Sequence, residues 1–200
     1  MIVPIGRWVI RHAFEDAARW QHTFNQNAPP FLSINISSRQ LRESHFVRDV
    51  QAALESYQVN PKLVMFEITE SVLLADNSAT LEALHKLRRL GVRIAMDDFG
   101  TGYSSLSYLR SFPFDKIKID RSFVRDLEGN AESAAIVRAI LGLGRTLGLA
   151  TTAEGVETES QLDYIRAQGC DQAQGYLVSR PLAPAQMAAF LAERKPSLAA

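Results

Sequence analysis

The chain has 200 residues, 46% hydrophobic and 22% charged, an ordinary composition for one globular domain with a buried core. Its 22 Lys and Arg balance 22 Asp and Glu, so no basic field points to polymeric nucleic acid or an anionic membrane, and an anionic ligand would need local groups or metal ions. The one cysteine, Cys170, excludes an internal disulfide framework, and the absence of any apolar run near about 18 residues or of a leader pattern at the N-terminus points to a cytoplasmic domain.

Helical and strand-like patterns alternate along the chain. Ile5, Val9, Ala13, Ala17 and Trp20 share one face of a helix predicted from about Pro4 to Trp20, which the stretch 25–30 breaks. A strand is expected at Phe31 to Ile36, a helix near Leu41 to Tyr57, and a strand at Leu63 to Thr69. The next helix, near Ser78 to Leu90, aligns Leu81, Leu84, Leu87 and Leu90 and ends at Gly91. A strand at Val92 to Asp97 leads through a glycine-spaced loop to a short helix near Ser104 to Arg110. A strand at about Lys116 to Asp120 precedes a long helix, Glu132 to Leu147, closed by Gly148. A strand at about Ala150 to Ala153 is followed by a helix whose Thr158 and Gln161 suit a capping box. The last strand is placed at Gln172 to Val178, and Pro184 opens a final helix. Such alternation implies parallel strands, either as a doubly wound open sheet or as a (β/α) barrel.

Parallel strands covered on both faces usually read as unbroken apolar runs. Here Asn35 interrupts the first strand, Glu67 the second, and Lys118 and Asp120 alternate with Ile117 and Ile119 in the fourth. Period two sends the isoleucines to the helix layer and the polar groups inward. The third strand ends on Asp97-Asp98, the fifth on Glu154, and the sixth holds Gln174. A lone Asp-Asp-Phe-Gly could be a strand-end turn, but the same pattern recurs on most strands, at the ends where α/β folds build their sites. Glu67, Asp97, Asp98 and Glu154 in one mouth would repel one another unless cations compensate. Ligands that are all oxygen suit magnesium, manganese or calcium rather than zinc. Cys/His zinc spacing, a Walker loop and a Gly-x-Ser-x-Gly elbow are all missing from the sequence. His12, His22, His45 and His85 fall on helices or their flanks, and Gly142-Leu143-Gly144 lies inside a helix.

Taken in order, Ile34-Asn35-Ile36-Ser37, Glu67-Ile68-Thr69-Glu70, the run Asp97 to Leu106, Lys118-Ile119-Asp120, Ala153-Glu154-Gly155-Val156-Glu157, Gln174-Gly175-Tyr176 and Arg180-Pro181 closely resemble the EAL-domain family, bacterial phosphodiesterases that hydrolyse cyclic di-GMP. The resemblance implies an α/β fold, a modified TIM-like (β/α) barrel, over residues 1–194 with a frayed tail at 195–200. It implies two divalent cations, Mg or Mn, with Asn35, Glu67 and Asp97 on one and Asp97 bridging to a second that Asp98 also binds. Lys118 would contact or activate the attacking water, and Glu154 would complete the catalytic groups. Glu70 would brace the loop of Phe99, Gly100, Thr101, Gly102, Tyr103, Ser104 and Ser105. Gln174, Asp120, Arg180 and Pro181 would contact substrate, and the product would be linear pGpG. A homodimer is implied, as is a longer parent with sensor or GGDEF domains, possessing no direct membrane contact through this segment.

The Glu-Ala-Leu signature of such domains is expected upstream of Met1, together with two strands and an arginine. The tripeptide Glu82-Ala83-Leu84 is a decoy inside a helix. The chain is therefore expected to lack its first metal ligand and to hydrolyse weakly by itself. The alternative is a catalytically inactive module that binds cyclic di-GMP or serves as an interaction fragment.

Overall fold

The computed structural model describes residues 2–24, 29, 31–70, 72, 77–102, 109, 111–127 and 129–193. Six strands, β1 (Leu32–Asn35), β2 (Val64–Thr69), β3 (Arg93–Phe99), β4 (Lys116–Ile119), β5 (Ala150–Glu154) and β6 (Gln172–Gln174), form one sheet. Every adjacent pair is parallel and the spatial order is the sequence order. A doubly wound sheet reverses its strand order at a switch point. This sheet does not, so of the two layouts open to the sequence it is the barrel progression, a curled half-barrel whose edges are β1 and β6.

Eight α-helices are described: α1 (Ile2–Phe24), α2 (Ser38–Leu41), α3 (Phe46–Tyr57), α4 (Asn77–Arg89), α5 (Arg121–Arg125), α6 (Ala131–Leu147), α7 (Glu159–Ala167) and α8 (Pro184–Glu193). The helix expected from Leu41 to Tyr57 is two. Ser37 accepts from the Gln40 backbone while the Gln40 side chain accepts from Ser37 N, and this capping box starts α2 early. Gln40 is buried against Gly6 of α1, where a Cβ would fall 2.0 Å from its Nε2. Helix α5 was not anticipated. Asp120 caps it, its carboxylate accepting from Ser122 N at 2.9 Å. The capping box of Thr158 and Gln161 on α7 is present, and Gly148 closes α6 with φ +68°. The break at 25–30 (Pro29 apart), the helix at 104–110 (Leu109 apart), loop residues Tyr103, Ser104 and Ser105, and the 195–200 tail lie outside the described residues.

The strands divide by parity as alternation predicts. Phe66, Ile68, Ile94, Met96, Ile117 and Ile119 join one cluster with Leu84, Leu87, Val137 and Leu141 of the helices. The other parity, Glu67, Asp97, Lys116 and Lys118, is buried on the concave face of the sheet. The strand predicted to run from Gln172 to Val178 stops at Gln174. Gly175 turns the chain: its carbonyl accepts from Val178 N and Ser179 N, and Leu177 N bonds Val156 O.

Candidate active site

One irregularity in β3 organises the site. Met96 pairs with Ile117 and Phe99 with Ile119, so Asp97 and Asp98 together oppose Lys118 alone. This is a β-bulge, and Asp98 sits in the left-handed region at φ +54°, which Asp tolerates better than most residues. In a regular strand, neighbouring side chains point to opposite faces. The extra residue cancels that rule, and Asp97, Asp98 and Glu154 each bring a carboxylate oxygen within 4.8 Å of the others. The same bulge turns Phe99 back into the core at 5% exposure, so Phe99 belongs to the strand and not to the loop where the sequence placed it.

Lys118 lies at the centre. Its Nζ donates to Glu67 Oε2 at 2.7 Å, to Asp97 Oδ1 at 2.8 Å and pairs with Glu154 Oε1 at 2.5 Å. The three acids come from β2, β3 and β5. Burial opposes the ammonium charge, but hydrogen bonds with Asp97, Glu154 and Glu67 outweigh it and hold the lysine pKa above its usual range. Glu154 is pushed up by burial against the pull of Lys118, and Asp98 is pushed up by burial and then by the charges of Asp97 and Asp120.

Glu67, Lys118, Gln174, Tyr176, Arg180 and Pro181 border one cavity of about 440 Å³, within the usual size range of ligand pockets. Asn35 pairs in register with Glu67 on edge strand β1 and is exposed. Gln174 is exposed beside Glu154 in the β5–β6 ladder. Arg180 stacks over the Tyr176 ring at 4.8 Å on the rim. Asp120 stands next to Asp98 but has one oxygen committed to the α5 cap. Glu70 is set apart from the carboxylate group. It is 5% exposed, its carboxyl oxygens have no hydrogen-bond partner among the described residues, and a Cβ on Gly102 would lie 3.1 Å from it. Glu70 thus packs directly against Gly102. Gly100 keeps φ +96°, while Thr101 Oγ1 donates to the Asp98 carbonyl at 2.8 Å.

The family model for the EAL domain matches residues 1–181. The chain belongs to the EAL domain family. Among solved structures, the PaMucR phosphodiesterase in complex with c-di-GMP superposes with a TM-score of 0.87 at 41% identity, covering 93% of this chain and 74% of that one. A manganese and cyclic di-GMP complex of BlrP1 from Klebsiella pneumoniae superposes at 0.82 with 31% identity, covering 91% and 45%. A protein named cyclic di-GMP phosphodiesterase in Pseudomonas aeruginosa is 39% identical over 94% of this chain and 32% of its own length. The chain spans between about a fifth and a third of the curated relatives it matches. Among the described residues, no helix of this EAL domain is long and apolar enough to cross a membrane.

Sequence reasoning missed Lys116, although the alternation that marked Lys118 marks it equally. Lys116 is 3% exposed, sits 4.2 Å above the Phe31 ring, which Arg93 also approaches, and donates to Gln172 Oε1. Burial, then repulsion from Arg93, lowers its pKa to about 8 from 10.5. The unfolded chain therefore binds more protons than the folded EAL domain between about pH 8 and 10.5, and stability attributable to this residue rises with pH across that window. Lys116→Met is expected to stabilise the fold at pH 7 by up to about 3 kcal/mol, a gain that shrinks toward zero above pH 10. Urea midpoints of both proteins across pH 7–10.5 measure it, and a difference that stays constant with pH refutes it.

Proposed function

We propose that this EAL domain hydrolyses cyclic di-GMP to linear pGpG with two divalent cations, magnesium or manganese. The observation that carries the reading is the all-oxygen group of Asp97, Asp98 and Glu154, converging within 4.8 Å beside Lys118, which borders the cavity. Such donors fit a hard divalent ion and not zinc. The names of the relatives and the cyclic di-GMP complexes of the neighbours support the substrate, and the BlrP1 manganese complex supports the metal class.

Asn35, Glu67 and Asp97 would hold one cation, and Asp97 and Asp98 the other. When bound, the pair supplies activated water and neutralises charge on the phosphodiester. Glu154, whose pKa burial raises while Lys118 stays paired with it, is suited to exchange a proton with that water. Lys118, fixed between strands, orients the acids and presents positive charge to the cavity. Arg180 on the rim suits a phosphate oxygen, and the exposed Tyr176 ring beside it suits stacking on a guanine. Glu70 acts at one remove, as a positioning residue under Gly102. The domain is proposed to work in the cytoplasm, as a homodimer within a longer signalling protein.

Incubating the chain with cyclic di-GMP and separating nucleotides by chromatography tests this. Mn²⁺ and Mg²⁺ should yield pGpG, however slowly. EDTA should stop it, and Ca²⁺ should inhibit because its longer, looser coordination misplaces the attacking water. Hydrolysis indifferent to EDTA would overturn the metal assignment. Tight cyclic di-GMP binding with no turnover in Mn²⁺ would identify a receptor instead.

A further inference from the structure

We propose that Lys118 is a built-in cation: it holds Glu67, Asp97 and Glu154 together when no divalent ion is present, and it competes with that ion for them. The inference rests on the metal reading given above. An ammonium has three N–H donors and no acceptor. Here the three acidic partners lie at 2.7, 2.8 and 2.5 Å, one for each donor. Lys118 is 4% exposed, so water does not compete for those protons. In this arrangement the lysine has no donor left for a water molecule or a phosphate oxygen.

Two of its three partners, Glu67 and Asp97, are among the proposed metal ligands, and the third, Glu154, lies within 4.8 Å of Asp97 and Asp98, while Asp98 does not hydrogen-bond to it. An incoming divalent ion must therefore share carboxylates with a fixed positive charge a few ångströms away. Once Glu67 and Asp97 turn toward that ion, the Lys118 protons become available to substrate. Metal loading and the release of the lysine are then one event, and an ion-free domain is held closed to chemistry without being unfolded by its own acids.

Lys118→Met separates this role from that of a supporting residue. A merely structural lysine, once removed, lets the acids splay and weakens metal binding. A competing lysine does the opposite, because a unit charge at about 4 Å from a divalent ion changes affinity roughly thirtyfold even at water-like screening, and more in a buried site. Titrating each protein with Mn²⁺ and following the free aqua-ion by electron paramagnetic resonance should show Lys118→Met binding at least tenfold tighter than wild type. Lys118→Arg, which keeps the charge, should stay near wild type. Tight binding by Lys118→Met alone, with wild type too weak to titrate, supports the proposal equally. Measurable wild-type binding with equal or weaker binding by Lys118→Met overturns it and leaves the metal reading standing. No Mn²⁺ binding by either protein removes the metal reading and this proposal with it. If Lys118→Met is unfolded in EDTA, recovery of its circular dichroism in millimolar Mn²⁺ supports the proposal, and failure to recover overturns it.

Discussion

Replacing Asp97 by asparagine will reduce metal-dependent hydrolysis of cyclic di-GMP by about a thousandfold or more, roughly 4 kcal/mol of transition-state stabilisation. The residue is 8% exposed, touches Lys118 at 2.8 Å and lies in the group with Asp98 and Glu154, so its charge acts on every other member of the site. As the proposed bridge, its loss perturbs both cations at once. Asparagine keeps the volume and one acceptor oxygen, so the backbone bulge and the Lys118 contact can persist. The expected signature is a collapsed rate with a near-native circular dichroism spectrum. Turnover within tenfold of wild type would show that Asp97 bridges nothing.

The largest structural effect is expected at Gly175. A Cβ there would lie 2.1, 2.3 and 2.7 Å from the O, N and C atoms of Val156, and these are backbone atoms with nowhere to move. The two backbones are that close because Val156 N donates to Gln174 O and Val156 O accepts from Leu177 N. Gly175→Ala must separate them and break both bonds. Overpacking alone typically costs about 1–3 kcal/mol, and two strained backbone hydrogen bonds raise the expected loss to about 3–5 kcal/mol. Substrate affinity should fall as well, since Gln174 precedes the turn and Arg180 follows it. Urea denaturation of the variant decides the matter, and a loss below about 1 kcal/mol would contradict the close approach.

Much of this arrangement is legible in the sequence. Alternation of Lys118 with Ile117 and Ile119 told inward from outward, because a two-residue period survives even in a strand buried on both faces. The carboxylates at strand ends pointed to one mouth for the same reason. What escaped was whatever depends on a departure from the regular period. Asp97 and Asp98 were both assigned to metal, yet nothing in the sequence said how consecutive residues could face the same way, and Phe99 was misassigned as a consequence. The strand expected from Gln172 to Val178 runs through Gly175, whereas the turn there is set by its contact with Val156 in the loop after β5. Asp120 looked like an inward acid and is in part a helix cap, a role visible only once α5 is known. Lys116 shares the inward parity of Lys118, and only its burial against Phe31 and Gln172 distinguishes it from a solvated strand-end lysine.

The bulge at Asp98 also fixes a length. Same-face residues on a regular strand recur about 6.6 Å apart along the chain, too far for two acids to share ions that sit about 3.5–4 Å from one another in two-metal centres. One inserted residue halves that pitch. The spacing of a dinuclear centre can thus be written into a protein as a residue count, independent of which helices surround the sheet, and a single-codon insertion in a strand-end run of acids is a short path by which an α/β barrel with one cation could come to hold two.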